Sequence, residues 1–384
     1  MHSGEVQGRR LLLVVNVGWM FLSHRLPIAL AAKQSGYEVH VACGTESSRE
    51  ESAIRSHGIE FHRLSIRRGS RSVMQELQLV RELASLYRRL RPDVIHHVSP
   101  KPVLYGGFLA RLLSDGVVVH AISGLGYIFT ETGVGGAIGR TLARLAYRAA
   151  LSGPRTWVIF QNPDDLRDFV KRKLVRQGSA VLIRGSGVDL DKFRPAPEPP
   201  GLVTVVLPAR MLGHKGVFEF IAAAGLLRTR GVSARFVLAG GVDLENPTAI
   251  SGEDLTRVSR EQGVEWLGHR SDIHEVLAAS HIVCLPSYRE GLPKSLLEAA
   301  ASGRPIVTTD VPGCREAVID GDTGMLVPPR DSLALANALE KLIMDRDLRI
   351  RMGRRARQVC EEQFGIDSVV TRTLKLYEQD DRRS

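Results

Sequence analysis

The chain has 384 residues, 43% of them hydrophobic and 24% charged, which is the composition of a globular protein large enough for two domains. No run approaches 18 uninterrupted apolar residues, so no transmembrane helix is expected. The charge is uneven, because residues 1–195 carry 28 Lys and Arg against 16 Asp and Glu, whereas residues 196–384 carry 24 against 26. A basic first half suggests an anionic partner, such as lipid headgroups, a lipid diphosphate or nucleic acid, and a solvated basic surface is the alternative.

The four cysteines are scattered and lack the spacing of a metal site or a redox pair. Cys43 and Cys284 lie in apolar, strand-like runs, where a buried and reduced thiol is expected. The polar N-terminus is followed by an apolar run, LLLVV, that is too short for the core of a signal peptide. These features predict a cytosolic, reducing compartment.

Apolar runs alternate with helical patterns along the first half. A helix is predicted from Ser23, as its N-cap, to Gly36, and a Leu-rich helix is predicted over 72–90. The alternation indicates βαβ units and a parallel sheet covered on both faces. The predicted strands of this half are 10–17, 37–43, 59–64, 93–98, 116–122 and 156–162.

A second alternating series follows the segment RPAPEPPG (194–201), which reads as a proline-stiffened linker. Its predicted strands are 202–210, 234–241, 264–268, 281–287, 304–310 and 323–329. We therefore predict an α/β protein with Rossmann-like domains over 1–195 and 196–365, followed by a C-terminal helical segment over 366–384. Ligands of such sheets bind at the carboxyl ends of the strands.

The segment SYREGLPKSLLEAAASGRPIV (287–307) carries the strongest chemical signal. A strand ends near Pro286, a loop carries Glu290, and a helix is predicted to begin near Pro293 or Lys294. Backbone N–H groups at the start of this helix can bind a phosphate, and Gly291, Leu292 and Pro293 line that start. Glu290 and Glu298 can accept hydrogen bonds from sugar hydroxyls beside the phosphate. An exposed surface position is the alternative for either glutamate.

Two cations lie in the segment PARMLGHKG (208–216), at the end of the first strand of the second half. Arg210 and Lys215 are five residues apart around a glycine turn, so both can reach one diphosphate. Fixed cations stabilise the charge that develops on a diphosphate leaving group.

The motifs EGLPKSLLE, ARMLGHKG, GVDLDKF and EAAASGRPIV together resemble retaining glycosyltransferases of the GT4 family, which have the GT-B fold of two facing Rossmann-like domains. The resemblance implies that Glu290 contacts the donor sugar and Glu298 the ribose. It also implies that Arg210 and Lys215 hold the diphosphate, and that the last helix returns to the N-terminal domain.

The first half is similar to a narrower group of bacterial GT4 members that act on undecaprenyl-diphosphate-linked sugars. The similarity rests on residues 16–42, on SPKPVLYGG (99–107) and on ISGLGYIFTE (122–131). It places Gly18 at a loop facing the donor phosphates. Ser123 takes the position of a histidine that usually contacts the donor sugar.

The resemblance thus implies a retaining glycosyltransferase that moves a hexose or N-acetylhexosamine from a nucleotide-diphosphate sugar to a polyprenyl-diphosphate-linked acceptor in surface-polysaccharide or glycan biosynthesis. The alternatives are a UDP-sugar 2-epimerase of the same architecture and a non-catalytic scaffold that binds nucleotide sugars.

No cofactor and no metal ion are expected. Asp189 and Asp191 spell a D-x-D motif, but they lie beside the linker and read as a structural loop. We expect peripheral contact with anionic lipid at the inner face of the cell membrane, through a row of Arg140, Arg144 and Arg148 at helical spacing. Nucleic acid is not expected, because no aromatic stacking platform accompanies the charge.

Overall fold

The computed structural model describes residues 7–45, 47–66, 72–123 and 137–379, and it describes only the backbone of 137–140. The chain divides into two compact units, Met1–Ser186 with Asp367–Ser384, and Gly187–Ile366. The GVDLDKF segment belongs to the second unit, because Val188 and Phe193 are buried in its core and the Val188 N–H donates to the Phe364 carbonyl at 3.0 Å.

The first unit is built on a seven-stranded, wholly parallel sheet of order β3-β2-β1-β4-β5-β6-β7. Apolar side chains cover both faces, as expected where helices pack on both sides. Its strands are β1 Arg10–Val17, β2 Glu38–Gly44, β3 Glu60–Arg63, β4 Val94–Val98, β5 Val117–Ile122, β6 Thr156–Phe160 and β7 Ala180–Leu182.

The helices of the first unit connect these strands. They are α1 Gly18–His24, α2 Leu26–Gln34, α3 Ser48–Ser56, α4 Val73–Leu90, α5 Gly107–Leu113, α6 Ala137–Leu151 and α7 Pro163–Lys171. The prediction that Ser23 caps one helix over 23–36 is wrong. Ser23 lies in the last turn of α1, and a second helix begins at Leu26 because Pro27, which lacks an N–H, suits only a first turn.

The second unit is built on a six-stranded, wholly parallel sheet of order β10-β9-β8-β11-β12-β13. Its strands are β8 Thr204–Pro208, β9 Arg235–Ala239, β10 Val264–Trp266, β11 Ile282–Leu285, β12 Ile306–Thr309 and β13 Gly324–Val327. Its helices are α8 Val217–Thr229, α9 Gly252–Gln262, α10 Ile273–Ala278, α11 Lys294–Ala301, α12 Ser332–Met344 and α13 Arg346–Gln363.

The last helix, α14 Ile366–Tyr377, packs on the first unit. Its Tyr377 is fully buried, and the phenol lies 2.6 Å from Nδ1 of His96 in β4.

In both sheets the strand order runs outward in opposite directions from a central pair of strands. The neighbours there are β1 and β4 in the first unit, and β8 and β11 in the second. Crossovers from the two central strands leave on opposite sides, which opens a crevice at their carboxyl ends where open α/β sheets bind ligands.

Candidate functional site

A tight turn after β8 carries the two predicted cations of the second unit. Gly216 ends this turn with φ +74° and begins α8. A Cβ on Gly216 would lie 2.1 Å from the carbonyl oxygen of Pro286, so the turn is pressed against the residues that follow β11. Only glycine fits both the backbone conformation and this close approach. The turn and the end of β11 therefore meet at the switch point of the sheet.

Lys215 and Glu290 form an ion pair across this junction, and their side chains are only 14% and 13% exposed. The Glu290 loop is fixed by its own N–H, which donates to the Pro312 carbonyl at 3.1 Å. Burial alone raises the pKa of Glu290, but attraction to Lys215 and the hydrogen bond from its ammonium outweigh burial and hold the pKa below its usual value. Glu290 is thus a buried carboxylate and not an exposed surface residue.

Arg210 is paired with a carboxylate that the sequence motifs do not include. Its guanidinium contacts Asp243, whose side chain is 9% exposed, while Arg210 itself is 38% exposed. Asp243 follows the Gly240-Gly241 pair at the end of β9, the strand beside β8. The sequence did offer a signal for Asp243, because this carboxylate lies just past the carboxyl end of a strand next to the switch point.

His214 lies in the same turn, between Arg210 and Lys215, and was also missed. Its Nδ1 lies 2.6 Å from Oγ1 of Thr248, which in turn donates to Oδ1 of Asn246 at 2.9 Å. Burial first, and then the charge of Lys215, lower the pKa of His214 to about 4. The imidazole is therefore neutral at physiological pH.

The helix α11 begins at Lys294, directly after Pro293, as predicted. Gly291, Leu292 and Pro293 are buried ahead of it. Glu298 lies in its second turn, is 8% exposed, and pairs with Lys294 at 3.3 Å. Burial raises the pKa of Glu298 above its usual value, and the charge of Lys294 only partly opposes this.

The structure brings Lys215 and Glu290 into contact. It places Arg210 in the same turn as Lys215, and Glu298 on the helix that follows Glu290.

Gly18 and Ser123 lie in the first unit, each at the carboxyl end of a strand. Gly18 is buried as the first residue of α1, where a Cβ would lie 2.6 Å from a carboxylate oxygen of Glu50. Ser123 directly follows β5 and is exposed. The rest of the segment ISGLGYIFTE, from residue 124 on, lies outside the described residues, as does the side chain of Arg140.

The aspartates of the D-x-D motif form a turn in the second unit. Oδ1 of Asp189 accepts the N–H groups of Asp191 and Lys192 at 3.0 and 2.9 Å. This explains the motif by loop structure. Within the described ranges, no group of three or more His, Cys, Asp or Glu side chains could hold a metal ion. The same residues contain no helix long and apolar enough to cross a membrane.

Two family models match the chain. The model described as "Glycosyl transferase 4-like" matches residues 10–162, and the model described as "Glycosyl transferases group 1" matches residues 203–345.

Relatives match over most of the chain. Over 380 residues it is 30% identical to the N,N'-diacetylbacillosaminyl-diphospho-undecaprenol alpha-1,3-N-acetylgalactosaminyltransferase of Campylobacter jejuni, covering 94% of this chain and 98% of the relative. It is 26% identical to the UDP-Gal:alpha-D-GlcNAc-diphosphoundecaprenol alpha-1,3-galactosyltransferase of Escherichia coli, covering 80% of each chain.

The crystal structure of a glycosyltransferase from Rickettsia africae shares the fold, with a TM-score of 0.77 at 17% identity over 98% of this chain and 100% of that one. These similarities confirm the predicted family and fold class, and they favour a transferase over the epimerase and scaffold alternatives. The chain therefore belongs to the group 1 and type 4-like glycosyl transferases, and it is a glycosyltransferase of GT-B fold.

Proposed function

We propose that this glycosyltransferase moves a hexose or N-acetylhexosamine from a nucleotide-diphosphate sugar to a polyprenyl-diphosphate-linked acceptor, with retention at the anomeric carbon, at the inner face of the membrane. The acceptor class is supported by the names of the Campylobacter jejuni and Escherichia coli relatives, which both act on diphospho-undecaprenol-linked sugars. The proposal that a nucleotide-diphosphate sugar is the donor rests on one observation, which is that Arg210 and Lys215 share one turn at the switch point of the second unit.

The two cations bind the donor diphosphate. Each is held by a carboxylate, Arg210 by Asp243 and Lys215 by Glu290. These contacts keep both long side chains in the turn before the substrate arrives, which reduces the entropy lost on binding. When the sugar leaves, negative charge grows on the diphosphate, and the fixed cations stabilise it.

Glu290 and Glu298 act on the sugar and the ribose. Glu290 is an ionised acceptor beside the diphosphate cations, so it can bind sugar hydroxyls on one side while keeping Lys215 on the other. Glu298 is buried on α11, whose N-terminus offers backbone N–H groups to a phosphate.

The transfer itself needs no protein nucleophile. The acceptor hydroxyl approaches the anomeric carbon on the face from which the diphosphate leaves. The bond from carbon to the diphosphate oxygen breaks, the bond to the acceptor oxygen forms, and a diphosphate oxygen takes the acceptor's proton. Arg210 and Lys215 hold the leaving group next to the incoming hydroxyl while this occurs.

No metal ion is part of the proposal. Arg210 and Lys215 supply the positive charge that a divalent cation supplies in other sugar transferases, and Asp189 is occupied by backbone N–H groups.

Contact with the membrane is proposed for one surface of the first unit. α5 packs against α6, and the two helices expose Phe108, Leu112, Leu142 and Leu145, which we call the apolar surface. These side chains are between 51% and 63% exposed. Arg144 and Arg148 are exposed on α6 one turn apart. Exposed apolar side chains on a helix that also exposes arginines fit the headgroup region of an anionic leaflet.

Vesicle binding tests this surface. We expect the protein to bind phosphatidylglycerol vesicles at low salt and to dissociate as salt rises, because the attraction is screened. Arg144→Glu with Arg148→Glu should weaken binding to these vesicles but leave residual binding to phosphatidylcholine vesicles unchanged. Equal, salt-insensitive binding to both vesicle types would contradict the role of the arginines.

The proposed reaction is tested by incubating the purified protein with UDP- and GDP-sugars and a polyprenyl-diphosphate-linked monosaccharide, and separating the products. We expect one donor to extend the acceptor and Arg210→Ala to lower kcat by about 10²- to 10³-fold, as for other lost transition-state contacts. Arg257→Ala is the control, since Arg257 is an exposed arginine paired with Asp254 on α9. Turnover of UDP-N-acetylglucosamine without acceptor would instead indicate the epimerase.

A further inference from the structure

The hydrogen-bond network around His214 fixes which nitrogen of its ring carries the proton. Oδ1 of Asn246 accepts the backbone N–H of Thr248 at 3.0 Å, so this atom is an oxygen acceptor. The same Oδ1 lies 2.9 Å from Oγ1 of Thr248, and only the hydroxyl proton can bridge two oxygens. The hydroxyl of Thr248 therefore donates to Asn246.

The hydroxyl of Thr248 has one proton, so toward His214 it offers a lone pair. Nδ1 of His214, at 2.6 Å, must be the donor. The neutral ring then has its proton on Nδ1, and Nε2 is an unprotonated acceptor. Among the described residues no hydrogen bond is made by Nε2, and the ring is half-buried, so this nitrogen is available to a ligand.

This acceptor nitrogen belongs to the turn that carries the diphosphate cations. The turn is joined to the 243–250 loop at several points: the Gly213 N–H donates to the Thr248 carbonyl at 2.8 Å, and Leu212 bridges to Ala249. The loop that fixes the tautomer of His214 also holds Arg210 through Asp243. One loop thus orients two side chains of the turn.

We propose that His214 is a further donor-binding residue whose Nε2 accepts a hydrogen bond from a hydroxyl or amide N–H of the nucleotide sugar next to the diphosphate, and that Thr248 is the positioning residue that keeps Nε2 an acceptor. The proposal rests on the proposed function. The partner of Nε2 is either the transferred sugar or the ribose, because both adjoin the diphosphate.

A neutral ring with its proton on Nδ1 offers the phosphates no donor at Nε2, so the favoured partner of Nε2 carries a hydrogen to donate. A bare imidazole nitrogen and a phosphate oxygen are both acceptors and repel each other. Burial first, and then the charges of Lys215 and Arg210, disfavour protonation of the ring against the opposing charge of Glu290, and they lower the pKa of His214 to about 4. Arg210 and Lys215 therefore bind the phosphates, and His214 binds a group that donates a hydrogen bond.

Calorimetric titration of three ligands tests the proposal: a UDP-N-acetylhexosamine, UDP, and inorganic pyrophosphate. His214→Leu should raise the Kd of the nucleotide sugar about 3- to 10-fold, the value of one neutral hydrogen bond, and leave the Kd of pyrophosphate unchanged. His214→Gln, which keeps an acceptor near the position of Nε2, should recover part of the loss. An equal rise for UDP assigns the contact to the ribose, and an unchanged Kd for UDP assigns it to the sugar.

Thr248 provides the matched pair. Thr248→Val removes the hydroxyl that accepts from Nδ1, so the ring proton is no longer held on Nδ1. The Kd of the nucleotide sugar should therefore rise, as in His214→Leu. Thr248→Ser keeps the hydroxyl and should keep the wild-type Kd.

Two results would overturn the proposal. If His214→Leu leaves the Kd of the nucleotide sugar unchanged, His214 does not contact the donor. A loss for pyrophosphate as large as that for the nucleotide sugar means that His214 only supports the turn. A wild-type protein that binds pyrophosphate but none of a panel of UDP- and GDP-sugars refutes the proposed function itself, which is a different outcome from either.

Discussion

Lys215→Met tests how the second unit holds its buried carboxylate. The change keeps most of the apolar length of the side chain but leaves the Glu290 carboxylate without its cation. Breaking a buried ion pair from one side is destabilising by about 3–5 kcal/mol. Since the two side chains keep 14% and 13% exposure, we expect the lower end, about 3 kcal/mol.

The pH dependence separates this cause from a general loss of packing. In the wild type the pKa of Glu290 is lowered, so the pair stabilises the fold above the unfolded-state pKa and loses this effect as pH falls through the folded-state pKa. Without Lys215, burial is opposed only by the smaller effects of Ser287 and His214, so the pKa of Glu290 rises. In the variant, the folded state binds a proton at Glu290 more tightly than the unfolded state does. The stability gained from this protonation is present at low pH and is lost as pH rises through the raised pKa.

The gap between wild type and Lys215→Met should therefore be widest near pH 7.5 and narrow toward pH 5. Thermal unfolding at both pH values measures it, and a gap of about 3 kcal/mol corresponds to about 6–12 °C for a unit of this size. Lys341→Met, at an exposed position on α12, is the control and should change little. A Lys215→Met deficit that is the same at both pH values would refute the reasoning.

Further predictions concern the same turn. Gly216→Ala should destabilise the second unit and reduce donor binding, since the new Cβ would meet the Pro286 carbonyl at 2.1 Å; an unchanged melting temperature would show that the turn can move. Asp243→Asn should raise the donor KM several-fold, because Arg210 loses its anionic partner, and kinetics in which only kcat falls would contradict this. Transfer should persist in excess EDTA, and its loss with recovery on added Mg²⁺ or Mn²⁺ would overturn the metal-independent mechanism.

Much of the fold could be predicted because the strands are short apolar runs between clear turn residues. β1 occupies Arg10–Val17 as predicted, and α4 occupies Val73–Leu90 against a predicted 72–90. The error at Ser23 arose because a serine beside a helical repeat looks like a cap, whereas α1 begins directly at the end of β1 without one.

The site could be predicted only as far as its motifs reach along the chain. Arg210, Lys215 and Glu290 were predicted because they lie beside glycines in turns that directly follow apolar strands. Asp243 and the Thr248–His214 contact were not found, because they join segments more than 30 residues apart. The burial of Glu290 is likewise tertiary: it depends on the turn at Gly216 closing against Pro286.

The most direct test of the account is the melting temperature of the purified protein with UDP- and GDP-sugars, for wild type and Arg210→Ala. A ligand that binds only the folded state stabilises it by about 2.7 kcal/mol at 100 times its Kd. We predict a rise in melting temperature with one class of nucleotide sugar that is lost in Arg210→Ala and kept in Arg257→Ala. A rise that survives Arg210→Ala, or no rise with any nucleotide sugar, would contradict the assignment of the donor diphosphate to this turn.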